Sequence, residues 1–128
     1  YGALWPRSHA TAASKGSDYI RVLSEEAKKL GVMIQTQAKV VDIIRENQLS
    51  GRVLGVEYVN KDGQHVFVRA LKAVVACPGG FAANREMRSM HDPRLYNLTT
   101  TNNPAASTGE VLVMMQDIGA DVTGMDHI

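Results

Sequence analysis

The chain has 128 residues, enough for one domain with its own core. Apolar residues make up 45% and charged residues 21%, and the formal net charge is +1, which gives no bulk attraction to nucleic acid or to an anionic membrane. With one Trp, four Tyr and two Phe there is no interleaved basic and aromatic stacking platform, so a nucleic-acid partner is not expected.

Residues 1–15 are rich in Ala, Ser and Thr, have no period, and read as loop. Ser17 is the expected N-cap of a helix carrying Ile20, Leu23, Ala27 and Leu30 at helical spacing. Gly31 is its expected C-cap glycine. Val32 to Thr36 reads as a short β run directly after the helix. Val40 to Arg45 and Val53 to Val59 read as two further strands. Lys61-Asp62-Gly63 is a hairpin signal, and Gln64 to Arg69 is the return strand. Together these form a small antiparallel meander. Leu71 to Ala76 is predicted as a buried strand that delivers the chain into Cys77-Pro78-Gly79-Gly80.

That segment, Ala73 to Asn84, is the most informative. An apolar run ends in a Gly-Gly pair and a helical pattern follows over Ala82 to Met90. Open α/β sheets bind ligands just past the carboxyl ends of their strands, where Gly lets backbone approach a ligand closely. A tight connection without a ligand explains Gly79-Gly80 equally well. Asp92-Pro93 is expected to break the helix. Tyr96 to Ala106 is polar, aperiodic and long enough for a binding loop. Ser107-Thr108-Gly109-Glu110 matches a capping box, with Ser107 at N-cap and Glu110 at N3. Val111, Leu112, Met115 and Ile118 form the apolar face of the next helix, and Gly119 caps it.

No catalytic set assembles from the sequence. His9, His65, His91 and His127 have no metal-ligand spacing, and structural or solvated roles are expected for all four. Cys77 is the only cysteine; it excludes an internal disulfide and a cysteine cluster, and reads as a small packed hydrophobe at the end of a buried strand. A reducing, cytoplasmic location is favoured. No apolar run approaches the ~20 residues of a membrane span.

Two separated blocks carry a family resemblance. Ala73-Val-Val-Ala-Cys-Pro-Gly-Gly-Phe-Ala-Ala-Asn84 resembles an apolar strand, Ala-Thr-Gly-Gly-Phe and a nearby Asn. Thr101-Asn-Asn-Pro-Ala-Ala-Ser-Thr-Gly-Glu-Val-Leu112 resembles Thr-Asn-x-Pro followed by Thr-Gly-Asp-Gly. Both occur in this order in the flavoprotein subunits of fumarate reductases and succinate dehydrogenases. The soluble flavocytochrome-c-like branch, which includes urocanate reductases and ketosteroid dehydrogenases, is the most similar. The Gly16–Leu30 helix, Gly51-Arg-Val-Leu-Gly-Val56 and the segment from Gly119 to Ile128 extend the resemblance over nearly the whole chain.

The resemblance implies an α/β fold with α+β character: part of a Rossmann-like FAD-binding domain carrying the β-meander. It implies FAD, with Val40 (or Val41) near the adenine end. Cys77, Pro78, Gly79 and Gly80 would pack on the adenosine and pyrophosphate side, and Thr108, Gly109 and Glu110 would approach the flavin. Pro78 stands where the family has Thr, Glu110 replaces Asp, Val111 replaces Gly, and one residue is inserted between Pro104 and Gly109. The Gly-x-Gly-x-x-Gly fingerprint is absent, and the family's catalytic residues would follow Ile128. The chain is therefore expected to be an internal, inactive slice, residues 1–128, of a flavin domain. The parent would reduce a small dicarboxylate or other activated alkene, with an electron-donor domain or subunit. A non-enzymatic binding module using residues 99–110 is the rival expectation, and a related flavoprotein acting on urocanate or a 3-ketosteroid is the other alternative.

Overall fold

The computed structural model describes residues 10–11, 15–98 and 106–125. His9, His127, most of the first loop and the Thr99–Ala105 stretch lie outside the described residues. The element order is α1 (Gly16–Lys29), β1 (Lys39–Asn47), β2 (Ser50–Val59), β3 (His65–Arg69), α2 (Arg85–His91), a 3-10 turn (Pro93–Leu95) and α3 (Glu110–Asp117). Three α-helices and one antiparallel sheet give the described residues the α+β character expected. The chain divides into two compact units, residues 1–36 and 37–128.

The first unit is built on α1. The helix begins one residue before Ser17, with Lys15 at the N-cap position and no side-chain cap. At the other end Gly31 acts as expected. With φ of +78°, it lets Val32 N–H reach the Ala27 carbonyl at 2.9 Å and its own N–H reach Lys28 at 3.0 Å. This is a Schellman closure, which satisfies carbonyls the helix end leaves open. Val32 to Thr36 is not a strand: it forms no ladder, and Met33 is 95% exposed. The β propensity of this run is real, but a strand exists only when a neighbour takes its backbone groups.

The second unit holds the meander, with strand order β1-β2-β3 and both pairings antiparallel. The β2–β3 turn is the one expected. Asn60 Oδ1 accepts from the N–H groups of Asp62 and Gln64, both at 2.9 Å, and Gly63 sits at φ +77°. The β1–β2 register slips between Val40 and Asp42. Val41 is thus the extra residue of a bulge, which turns both Val40 and Ile43 toward the same cavity. Strict alternation would have put Val41, not Val40, on the face of Ile43. Ile43 is the buried apolar residue at the centre, 5% exposed. α3 packs on β1, and Arg45 ties the two by donating from Nη1 to the Ile118 carbonyl.

The predicted strand Leu71 to Ala76 is absent. The chain there has no ladder partner, and Leu71 and Val75 are exposed. Arg52 holds its start, with Nη2 donating to the carbonyls of Leu71 and Lys72. A parallel strand needs flanking strands that lie far away in sequence, and none is present among the described residues.

Candidate functional site

The segment past residue 72 and the start of α3 meet at the near edge of β1. An apolar cavity of about 220 Å³ is lined by Val40 and Ile43 of β1, Val56 of β2, residues 74–78 including Cys77 and Pro78, and Val111 of α3. Three of the residues singled out from sequence, Val40, Cys77 and Pro78, therefore share one wall system. Gly79 and Gly80 follow directly. Gly79 has φ +74°, and a Cβ at either glycine would meet nothing within 4 Å. This face of the turn is open to an approaching ligand. No backbone group of residues 73–80 is hydrogen-bonded to another described residue, so these amides remain available.

Cys77 does not match its expected setting. It is exposed and free, because the run that carries it is unpaired rather than sandwiched in a sheet. Pro78 contributes no amide hydrogen at this point of the turn, so donors come from its neighbours.

The second half of the site is held by Asn84. Its Oδ1 accepts from Met87 N–H at 2.9 Å and caps α2, while its Nδ2 donates to the Thr108 carbonyl at 2.9 Å. Ala83 N–H donates to the Ser107 carbonyl at 2.8 Å. One side chain thus fixes the helix after Gly79-Gly80 and the loop before α3 in a single arrangement. Asn84 was visible in sequence only as an Asn near the Gly-Gly-Phe turn. Its tether to Thr108 spans 24 positions, and no local pattern reports it.

The capping box is not formed. Gly109, at φ +79°, occupies the N-cap position of α3, and Glu110 is its first helical residue rather than N3. Ser107 is held back by its contact with Ala83. A Cβ on Gly109 would lie 2.7 Å from Met87 Sδ and 2.8 Å from Phe81 Cβ, so both backbone angle and space require glycine. The Thr108 hydroxyl donates to the Glu110 carboxylate, and Lys39 Nζ lies 3.4 Å from Glu110 Oε1. The Thr108 hydrogen bond holds the Glu110 carboxyl below its usual range against an opposing desolvation, with a lesser contribution from the Lys39 charge. An acid at the first helical position also suits the helix dipole.

The remaining candidates are structural. The His91 ring packs against Phe81 with centroids 5.7 Å apart. His65 is exposed and its Nδ1 contacts the Glu57 carboxylate across the β2–β3 pair. Among the described residues no group of His, Cys, Asp and Glu could hold a metal ion, and no helix is long and apolar enough to cross a membrane.

An apolar cleft thus lies beside an open Gly-Gly turn whose backbone groups make no hydrogen bonds among the described residues.

Comparison with known proteins identifies the family. Residues 2–128 match the FAD binding domain family. Fumarate reductase 1 of Saccharomyces cerevisiae is 35% identical over 130 residues, covering 95% of this chain and 27% of that protein. NADH:acrylate oxidoreductase of Vibrio harveyi is 30% identical over 131 residues, 99% of this chain and 13% of that protein. The 3-ketosteroid-Δ4-(5α)-dehydrogenase of Rhodococcus jostii RHA1 superposes with a TM-score of 0.76 at 32% identity, over 94% of this chain and 24% of that one. The chain spans between about an eighth and a quarter of the length of these proteins. It belongs to the FAD-binding domain family, among flavoproteins related to fumarate and acrylate reductases.

Proposed function

We propose that these residues form one wall of the FAD site in an oxidoreductase that reduces an activated alkene, as a fumarate reductase does. The observation that carries this is that Val40, Cys77, Pro78 and Val111 line one cavity at the edge of the meander, while Asn84, just after the Gly79-Gly80 turn, is tied to the Thr108 carbonyl. Bound FAD would supply hydride to the alkene. This chain's part is binding and orientation. The Val40, Ile43 and Val74 to Pro78 cleft receives the adenosine end. The Gly79-Gly80 turn lets backbone amides come close to the pyrophosphate, and the Thr108–Glu110 corner stands toward the flavin. The residues that bind and protonate the alkene, among them an Arg proton donor, lie elsewhere in the protein, as does the electron donor.

A flavin titration of residues 1–128 is expected to give weak binding or none; tight, stoichiometric binding would sink the idea that half the cradle is elsewhere. In the full-length protein, reduced flavin should be reoxidised by fumarate in the absence of oxygen. The likeness to the ketosteroid dehydrogenase favours one second reading: oxidised flavin bleached by a saturated 3-ketosteroid, with fumarate inert, would select it.

A further inference from the structure

Arg88 is the buried charged side chain among the described residues, at 4% exposure. It lies on α2, one turn after the Asn84 cap. Its Nη2 donates to the Leu98 carbonyl at 3.0 Å. Its Nε is closed off from solvent and has no hydrogen-bond partner among the described residues. Arg88 takes part in none of the ion pairs of the described residues. The nearby acids are not available. Asp92 is gripped by the Arg94 guanidinium, with Nη2 at 2.7 Å from Oδ2, and Glu86 is exposed. Residues 99–105, which follow Leu98, read Thr-Thr-Thr-Asn-Asn-Pro-Ala and contain no acid.

A guanidinium withdrawn from water needs an anion or a full set of acceptors, and the Leu98 carbonyl is the one acceptor it has among the described residues. The vacant Nε shares an edge with Nη2, which has a second hydrogen beyond the one donated to Leu98, and that edge is the fork that grips the two oxygens of a carboxylate side by side. We propose that Arg88 is the seat of a carboxylate supplied from outside the described residues. Two sources carry this chemistry: an Asp or Glu elsewhere in the protein, or a small carboxylate ligand. The first rests on the reading above, in which these residues are one part of a longer flavoprotein.

The test uses the full-length protein, whose flavin absorbance reports on that reading independently of Arg88. Thermal unfolding is followed for the wild type and Arg88→Met, with and without malonate as the probe. A protein carboxylate predicts that Arg88→Met melts lower by roughly 4 °C or more without malonate, because the acid is left buried and alone. Malonate then acts equally on both. A ligand carboxylate predicts that Arg88→Met melts at or above the wild type, and that malonate raises only the wild type. Equal or higher melting of Arg88→Met, with malonate acting alike on both, overturns the proposal. Should Arg88→Met not fold, Arg88→Lys keeps the charge and loses the fork. A smaller drop in melting, or a weaker malonate shift, supports the carboxylate; no change in either overturns it.

Discussion

The meander and the segment from Leu71 to Glu110 solve the backbone problem in opposite ways. In β1–β2–β3 each strand takes its partner from the next stretch of chain, across turns of a few residues. Residues 73–80 are as apolar, yet their backbone groups find no partner among the described residues. They are positioned from outside instead, by Arg52 at one end and by Asn84 bridging to Thr108 at the other. An antiparallel unit closes on itself, whereas a strand that belongs to a parallel sheet waits for neighbours from far along the chain. The site sits where the self-sufficient region meets the dependent one.

Substitutions should separate the two regions. The largest effect is expected at the meander centre. Ile43→Ala removes the buried side chain between β1, β2 and residue 74, and should cost about 3 kcal/mol in denaturant unfolding of the full-length protein. A loss below about 1 kcal/mol would mean that the cavity beside Ile43 already leaves it loosely packed. Next is Gly109→Ala, where φ is +79° and Met87 and Phe81 occupy the space of the added methyl. About 2 kcal/mol is expected, with FAD affinity falling as well, since the loop before α3 must move. Ile43→Ala should affect affinity much less than stability. Equal effects of the two variants on affinity would erase the distinction between scaffold and site.

Asn84 offers a finer cut. Asn84→Ala loses both the α2 cap and the tether to Thr108, for about 1–2 kcal/mol. Asn84→Asp keeps the acceptor for Met87 N–H and loses the donor to Thr108. Melting close to wild type with weakened FAD binding would assign the tether to the site. Full affinity in Asn84→Asp would make Asn84 a helix cap only.

The same contrast explains what was legible in the sequence. Turn chemistry is local, so Gly31, Asp62-Gly63, Asp92-Pro93 and Gly119 marked real boundaries. Gly119 closes α3 with its N–H on Gln116 at 2.8 Å and that of Ala120 on Met115 at 2.9 Å. Val32 to Thr36 and Leu71 to Ala76 form no ladder among the described residues, because a ladder needs partners that no pattern within a strand can specify. The capping box at Ser107 failed for a related reason: a tertiary contact with Ala83 holds Ser107, and a left-handed glycine starts the helix two residues later. The FAD-binding family was legible because two blocks kept their order and spacing. The Asn84–Thr108 tether and the burial of Arg88 were not, since both depend on how α2 packs.

The smallest expected effect concerns Glu110, at the site's outer edge. Its folded pKa is lowered, first by the Thr108 hydroxyl and then by Lys39. A depressed folded pKa means that the unfolded chain binds the proton more readily. Glu110 therefore contributes stability above its unfolded pKa, and that contribution is lost as pH falls through the folded value. Thr108→Val removes the hydroxyl hydrogen bond and leaves Lys39 in place. The carboxyl titration of Glu110, followed by NMR, should move upward in Thr108→Val, and less so in Lys39→Met. A larger shift in Lys39→Met would make the ion pair, at 3.4 Å and well exposed, the stronger partner. That outcome would break the view of the Thr108–Glu110 corner as a locally bonded unit, and would leave β1 as the element that orders the start of α3.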